Sequence, residues 1–438
     1  MDVVMLSRIQ FGLAAGVHFI FPSLTLGLTL LVFLFEYKFY KTNEELFKTI
    51  STFFIKILGL VFALGVATGI VLEFSFGTNW AEYSRMVGDI FGAPLAAEGI
   101  FAFFLESVFL GVLLFARNKV SKKVYLLSAF LVFFGSHLSG LWIIIANSWM
   151  QTPAGFAIEG GRAVLTDFWA AALNPSTLVR FIHVIIAGWI SGSLFAAGVA
   201  AWYIIKQQHT KEAQNILKTA IIVFCIMSLV QFASGHLHAV QVTNLQPEKM
   251  ATFEALWQTQ QGAPMSIIGI PVESEKKTYF EIKIPKLLSL LAYFDPNAEV
   301  KGRDAFPEDE LPPVLLPYFS YHVMIGLGSL FALMSLIALF LLLKKKLFTA
   351  QWFLYVLMFA IPLPIIANEF GWIAAEVGRQ PWAVYKVLKT VDAVSTVVPA
   401  THVLLSLIIF SLIYLLLVVL FITILVKIIK KGPQAESY

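Results

Sequence analysis

The chain has 438 residues, 58% of them hydrophobic and 13% charged, with a mean hydropathy of +0.81. That composition excludes a soluble globular domain and defines a polytopic membrane protein. The formal charge of +4 leaves no footprint for nucleic acid, so none is expected as a partner, and the single Cys225 excludes an intrachain disulfide framework, a CxxCH haem attachment and a cysteine-held iron–sulfur cluster.

Length and apolarity predict about nine transmembrane helices, roughly 11–34, 53–77, 95–116, 125–147, 179–205, 218–240, 318–343, 351–374 and 399–427. The fold class is therefore all-α, a polytopic membrane helix bundle with one long loop. The first apolar run continues well past the length of a signal h-region, so no short cleavable signal is expected. Basic residues follow alternate spans: Lys38, Lys41 and Lys48; Arg117, Lys119, Lys122 and Lys123; Lys206 and Lys211; Lys344, Lys345 and Lys346; Lys427, Lys430 and Lys431. The positive-inside rule makes these ends cytoplasmic, with the amino terminus outside and the carboxyl terminus inside. Three regions result: 1–240 with helices one to six, 241–317 as a large proline-rich outer loop, and 318–438 with helices seven to nine and a short cytoplasmic tail.

Six ionisable side chains fall inside or at the edge of apolar spans: His18, Glu98, Glu106, His183, Glu369 and Glu376. A charge in hydrocarbon costs a few kcal/mol or more, so such groups face a bundle interior and mark a site. Topology converts position into depth. His18, Glu98, His183, the thioether Met324 and Glu376 are all expected in the outer half of the bilayer. Taken singly, a span histidine can serve a neighbouring helix and a methionine can simply pack. The shared depth sets these five apart as candidate iron donors. Glu106 lies eight residues past Glu98, about 12 Å deeper. Eight residues are close to two turns, so the two carboxylates share a face and suit a proton relay from the cytoplasm. His137, His322 and His402 read as structural. His236 and His238, at the mouth of span six, read as solvated or loop contacts.

The stretch Gly371-Trp372-Ile373-Ala374-Ala375-Glu376-Val377-Gly378-Arg379-Gln380-Pro381-Trp382 resembles the signature of subunit I of the cytochrome bd-type quinol oxidases. Further matching stretches are Leu6-Ser7-Arg8-Ile9-Gln10-Phe11 with His18, Glu73 to Trp80, Asn147 to Pro153, and Gln246 to Ala255. The resemblance runs the length of the chain. It implies a haem-bearing subunit of a membrane quinol:oxygen oxidoreductase in the bacterial cytoplasmic membrane, with two haem b and one haem d or a third haem b. His183 and Met324 would be the two axial ligands of a low-spin haem b, closing that iron to oxygen. His18 and Glu376 would each hold a high-spin haem by one ligand. Arg8 and Arg379 would belong to the cofactor-binding set, and Trp372 would lie among the haems. Lys249 and Glu254 would form part of the quinol site; without the resemblance they read as a solvated loop pair. Quinol would release protons outside, while oxygen reduction would draw protons from inside through Glu106 and Glu98, generating a gradient without pumping. The implied partners are a second subunit of homologous fold in a heterodimer, with a small single-helix subunit as an option, besides quinol, O2 and the bilayer.

Two departures stand out. His322 occupies the place, two residues before Met324, where some members carry an arginine near haem propionates. The outer loop is of the short type. Three other readings compete. A purely electron-transferring haem b subunit conflicts with the open-site ligands His18 and Glu376. A copper-containing oxidase lacks its paired histidines. A haem-free proton channel or transporter would use the same buried carboxylates and would be colourless.

Overall fold

The computed structural model describes residues 2–434. Among these, nine helices are long and apolar enough to cross a membrane. They are α1 (Val3–Thr42), α2 (Glu45–Gly77), α3 (Ala81–Phe115), α4 (Lys122–Gln151), α5 (Thr177–Ile205) and α6 (Thr210–Leu245), followed beyond residue 314 by three more. Between them lie two short helices, α7 (Pro247–Phe253) and α8 (Leu287–Tyr293), and a hairpin of β3 (Met265–Val272) and β4 (Lys277–Ile284). An earlier two-stranded turn, β1 (Phe156–Glu159) with β2 (Arg162–Leu165), joins α4 to α5. The last three spans are α9 (Leu315–Leu343), α10 (Gln351–Val377) and α11 (Ala400–Lys431). The expected count is met, and the helices overrun the predicted apolar segments because backbone hydrogen bonding continues past the hydrocarbon boundary.

α5 is the central helix, with 83% of its apolar window buried, whereas α11 is peripheral at 11%. Close packing of α1 on α5 depends on glycine. A Cβ on Gly27 would fall 2.6 Å from the Gly188 carbonyl oxygen and from the Gly192 Cα. Small residues of this kind let membrane helices approach backbone to backbone. The contact fixes the helices bearing His18 and His183 side by side.

The basic ends gather at one end of the bundle. Lys122 Nζ donates to Asn43 Oδ1 at 2.5 Å, tying the α3–α4 turn to the α1–α2 turn. Tyr203 Oη donates to the Ile429 carbonyl at 2.6 Å. Arg117 does more than punctuate a loop: it folds back to a buried ion pair with Glu36, which Ser51 also contacts.

Two helices are irregular where the site needs it. α10 breaks between Phe359 and Leu363, where Pro362 and Pro364 remove amide donors. α3 contains a π-helical stretch at Glu98–Phe103. In a plain α-helix, eight residues overshoot two turns by about 80°. The wider i→i+5 turn absorbs about one residue, bringing Glu98 and Glu106 to within about 20° of each other. Both meet α4: Ser139 Oγ donates to Glu98 Oε1 at 2.7 Å, and a Cβ on Gly135 would stand 3.2 Å from the Glu106 Cβ.

Candidate functional site

A cavity of about 610 Å³ opens between α4, α5, α6, α9 and α10 beneath α7. His183, Met324, Trp372, Lys249 and Glu254 all line it. Residues 141 positions apart in sequence, His183 and Met324, are thus brought to one space. Lys249 and Glu254 are 4% and 2% exposed, so they are not a solvated pair.

His183 and Met324 are each held in a defined setting. Gln231 Nε2 donates to His183 Nε2 at 3.2 Å, which places the ring proton on Nδ1 against Ser234 Oγ, also 3.2 Å away. Gly371 makes room for the thioether, since a Cβ there would sit 2.9 Å from Met324 Sδ. His238 differs from expectation. α6 runs on to Leu245, so His238 is within the helix and its ring centroid is 5.4 Å from that of His183. His236 packs edge-on against Phe294 at 5.4 Å.

Glu376 occupies the last turn of α10, where the carboxylate collects donors from three elements. Arg379 Nη2 lies 2.6 Å from Oε2. Asn147 Nδ2 and Gln151 Nε2, both from α4, donate to Oε1 at 3.1 and 3.3 Å. Arg180, from the first turn of α5, is 3.9 Å from Oε1 and bonds Asn147 Oδ1. Its guanidinium also stands 5.7 Å from the Trp372 ring, which packs on Phe19 of α1 at 4.4 Å. Three close donors on four lone-pair positions leave one position of the carboxylate open.

His18 lies apart from the cavity wall. Thr68 donates its one hydroxyl proton to the Leu64 or Gly65 carbonyl, at 2.8 and 3.1 Å. It therefore accepts from His18 Nδ1, 3.0 Å away, which leaves the Nε2 lone pair free. A Cβ on Gly69 would lie 3.0 Å from His18 Cε1. On the far side of α1, Gly16 faces Glu369 Oε2, while Glu369 Oε1 is buried without a partner among the described residues. Arg8 is half-buried and makes no hydrogen bond or ion pair with a described residue.

Outside the spans, burial shapes the two residues of the 247–254 segment. Lys249 is held well below the usual lysine range, chiefly by burial and then by Arg180. Among the described residues its acceptors are two amide oxygens, Gln151 Oε1 at 2.8 Å and Gln246 Oε1 at 3.2 Å. Burial pushes the Glu254 carboxyl up to about 8, opposed by the Ser266 amide that donates to Oε2 at 2.9 Å. Glu254 Oε1 is buried with no partner among the described residues.

The sequence assigned no role to Arg180, Asn147, Gln151, Thr68 or Ser139. Arg180 carried a signal: it is a charge at the edge of a span, three residues before His183. Asn147 and Gln151 fall in the matching stretch Asn147 to Pro153, but they are uncharged, and their roles show only through the partners that the fold supplies.

Nine apolar helices enclosing imidazole, thioether and carboxylate donors define a polytopic membrane protein with a buried donor site. Residues 6–433 match the family of cytochrome bd terminal oxidase subunit I, and the chain belongs to that family. It is 38% identical to the cytochrome bd ubiquinol oxidase subunit 1 of Bacillus subtilis (strain 168), over all of this chain and 96% of the relative. It is 34% identical to the cytochrome bd-II ubiquinol oxidase subunit 1 of Escherichia coli (strain K12), over 90% of each. The solved bd oxidase of Geobacillus thermodenitrificans superposes with a TM-score of 0.92 at 29% identity, over 99% of both chains.

The family implies haem, and the residues present fit it. His18 and His183 each carry the ring proton on Nδ1; the Nε2 lone pair of His18 is free, and that of His183 accepts from Gln231, a bond that iron would replace. Gly371 and Gly69 leave space beside Met324 and His18 that a side chain would fill. Arg379 Nη1 is a buried donor without a partner among the described residues, suited to a propionate carboxylate. No cluster of three or more His, Cys, Asp or Glu side chains placed to hold a bare metal ion occurs among the described residues.

Proposed function

We propose that this chain is the haem-bearing subunit of a membrane quinol:oxygen oxidoreductase of the bacterial cytoplasmic membrane. It oxidises quinol at the outer face and reduces O2 to water with protons taken from the cytoplasm. The observation that carries this reading is the single cavity shared by His183, Met324, Lys249 and Glu254.

His183 and Met324 hold a low-spin haem b between them, and His18 and Glu376 each hold a high-spin haem, two haem b and one haem d or three haem b in all. The bound iron supplies electron transfer and oxygen activation. The remaining chemistry belongs to the chain. Lys249 and Glu254 bind the quinol hydroxyls and accept their protons, for which a buried, depressed amine and a raised carboxyl are suited. Arg379 and Arg180 compensate negative charge around Glu376. Glu106 and Glu98, the latter held on α4 by Ser139, carry protons inward from the cytoplasmic end. Protons released at one face and consumed from the other separate charge without pumping. A second subunit of homologous fold completes a heterodimer, to which a small single-helix subunit can add, and the amino terminus lies outside.

A reduced-minus-oxidised difference spectrum of membranes expressing the chain with its partner, with quinol-driven oxygen uptake, tests this. Haem bands and uptake are expected. Colourless protein without uptake would instead support a haem-free proton channel or transporter.

A further inference from the structure

The 246–314 segment does not stand clear of the bundle. Contacts on two flanks set its depth. His322 Nε2 lies 2.9 Å from the Ser266 carbonyl and Tyr318 Oη 2.8 Å from Ser266 Oγ, so the start of β3 runs beside the first two turns of α9. His322 is seven residues into α9, about 10 Å from its start. On the other flank, Phe294, just past α8, packs on His236, nine residues short of the end of α6 and so about 14 Å along it. Residues 219–245 of α6 carry no Asp, Glu, Lys or Arg. A span of about 20 residues from there reaches roughly to residue 238, so His236 is within its reach.

Large apolar groups dominate the face presented at that depth, beside the Lys283–Glu281 ion pair of β4. Ile268 pairs with Ile282 across the hairpin, and the two are 57% and 62% exposed. Phe280 is 86% exposed and Phe294 70%. Four large apolar groups on an extramembrane loop of a soluble surface would be an aggregation hazard. Here they continue the exposed apolar surface of the spans beside them, Leu315 and Leu316 of α9 and Leu237 of α6. Polar and charged groups rim the patch: Lys276, paired with Glu308 at 3.0 Å, and Lys277 lie at the hairpin tip beside Glu273 and Glu275, and Lys286 stands before α8, so the edge of the face is suited to the headgroup layer. Behind it, Met265, Leu288, Leu291 and Ala292 line the cavity.

We propose that the β3–β4 hairpin and α8 dock their apolar face into the interfacial layer of the adjacent leaflet. They thereby form a lateral portal through which a lipid-soluble quinol passes from the bilayer into the cavity. The lipid contact stands on the geometry alone; the portal rests on the quinol reading above. Met265 and Leu291 reach from the docked layer to the cavity wall, so the path from acyl chains to Glu254 is apolar until its end.

The test uses the haem-replete complex in lipid nanodiscs. In a Cys225→Ser background, Phe280→Cys carries a bimane label and Glu299→Cys, on an exposed short strand, serves as the reference. Spin-labelled phosphatidylcholine is expected to quench the label at position 280 by about half or more, with little quenching by iodide, and the reverse at position 299. Iodide quenching at 280 without lipid quenching would overturn the proposal. Shielding from both quenchers would also overturn it, because a protein partner would then cover the face. For the portal, Phe280→Asp combined with Ile282→Asp is expected to raise KM about tenfold for a long-tailed quinol and little for a short-tailed, water-soluble one. Equal KM changes for the two, or none, would overturn the portal. Absence of quinol turnover in the unmodified complex would sink the quinol reading while the quenching result still decides the lipid contact.

Discussion

Lys249 and Glu376 share a side chain. Gln151 accepts from Lys249 Nζ through Oε1 at 2.8 Å and donates through Nε2 to Glu376 Oε1 at 3.3 Å. Its backbone carbonyl takes a third bond from Gln246 Nε2 at 3.1 Å. One buried amide thus joins the proposed quinol-binding lysine to the proposed haem ligand. Gln151→Leu keeps the bulk and removes these side-chain bonds together with a further one, from Nε2 to the Ala375 carbonyl at 3.4 Å. A buried polar group left unpaired costs about 1–3 kcal/mol. The expected outcome is a quinol KM raised about tenfold, the equivalent of 1.4 kcal/mol, with the haem at Glu376 partly lost. Steady-state kinetics and haem quantification read the two effects separately. A change in neither would leave the bridge without function.

The low-spin site is testable at a residue that touches no electron. Gly371→Ala places a methyl group 2.9 Å from Met324 Sδ. Overpacking of this kind costs about 1–3 kcal/mol. The thioether should shift, and the low-spin haem band should weaken or move. His183→Ala and Met324→Leu should remove that band and leave high-spin iron. Gly326→Ala, where a Cβ meets nothing within 4 Å, is the control. A full-strength low-spin band in the Met324→Leu protein would refute the assignment.

Among the described residues, Glu376 is the carboxylate that Arg379, Arg180, Asn147 and Gln151 surround. Glu376→Ala removes the only protein ligand proposed for its haem and leaves two buried guanidinium groups uncompensated, at about 3–5 kcal/mol. Glu376→Gln keeps most of the hydrogen-bonding shape. Both should lose about one haem per polypeptide on the single-ligand reading, the alanine variant with reduced thermal stability besides. An unchanged haem count with normal oxygen uptake in the glutamine variant would return Glu376 to a structural role.

The helix count and the donors were legible in the sequence for separate reasons. Long charge-free segments such as 219–245 announce spans whatever they pack against, because backbone in hydrocarbon has no alternative to helix. The start of α3 was not legible. Residues 81–94 carry Glu82, Arg85 and Asp89 and read as loop, yet they continue the helix that holds Glu98. His183 and Met324 were legible through shared depth, and Arg180 obeyed the same rule and was overlooked. The Gln151 bridge was not legible, since a neutral amide carries no depth signal and its partners lie 98 and 225 residues away. The roles of Lys249 and Glu254 came from resemblance alone; composition favoured a solvated loop, and only the fold shows them buried.

Glu254 gives quinol oxidation a pH signature. Burial raises its carboxyl to about 8. Below that pH it is protonated and cannot accept a quinol proton; above it the carboxylate can. The value of kcat/KM for quinol should therefore rise as pH increases through about 8 and level off above it. Glu254→Gln and Lys249→Ala should depress turnover with haem spectra intact, and Glu254→Gln should flatten this limb. An artificial reductant that bypasses the quinol site should be affected much less. Equal loss with both donors would indicate general damage to the 247–254 segment.

Glu106 is buried, its Oε1 has no partner among the described residues, and Gly135 brings α4 against its Cβ. An unpaired buried carboxyl costs several kcal/mol if charged, which packing does not require. The π-helical turn at Glu98–Phe103 points it the same way as Glu98, which Ser139 holds. This arrangement suits stepwise proton movement along one face. Glu106→Gln keeps size and hydrogen bonding but loses the exchangeable proton. The variant should bind its haems, be reduced by quinol at the normal rate, and slow in oxygen turnover by about a hundredfold or more, the scale of a lost proton-transfer residue. Stopped-flow reduction separates the two half-reactions, and vesicle acidification reports charge separation. Normal turnover with undiminished acidification would place the proton path elsewhere and leave Glu106 as a packing residue between α3 and α4.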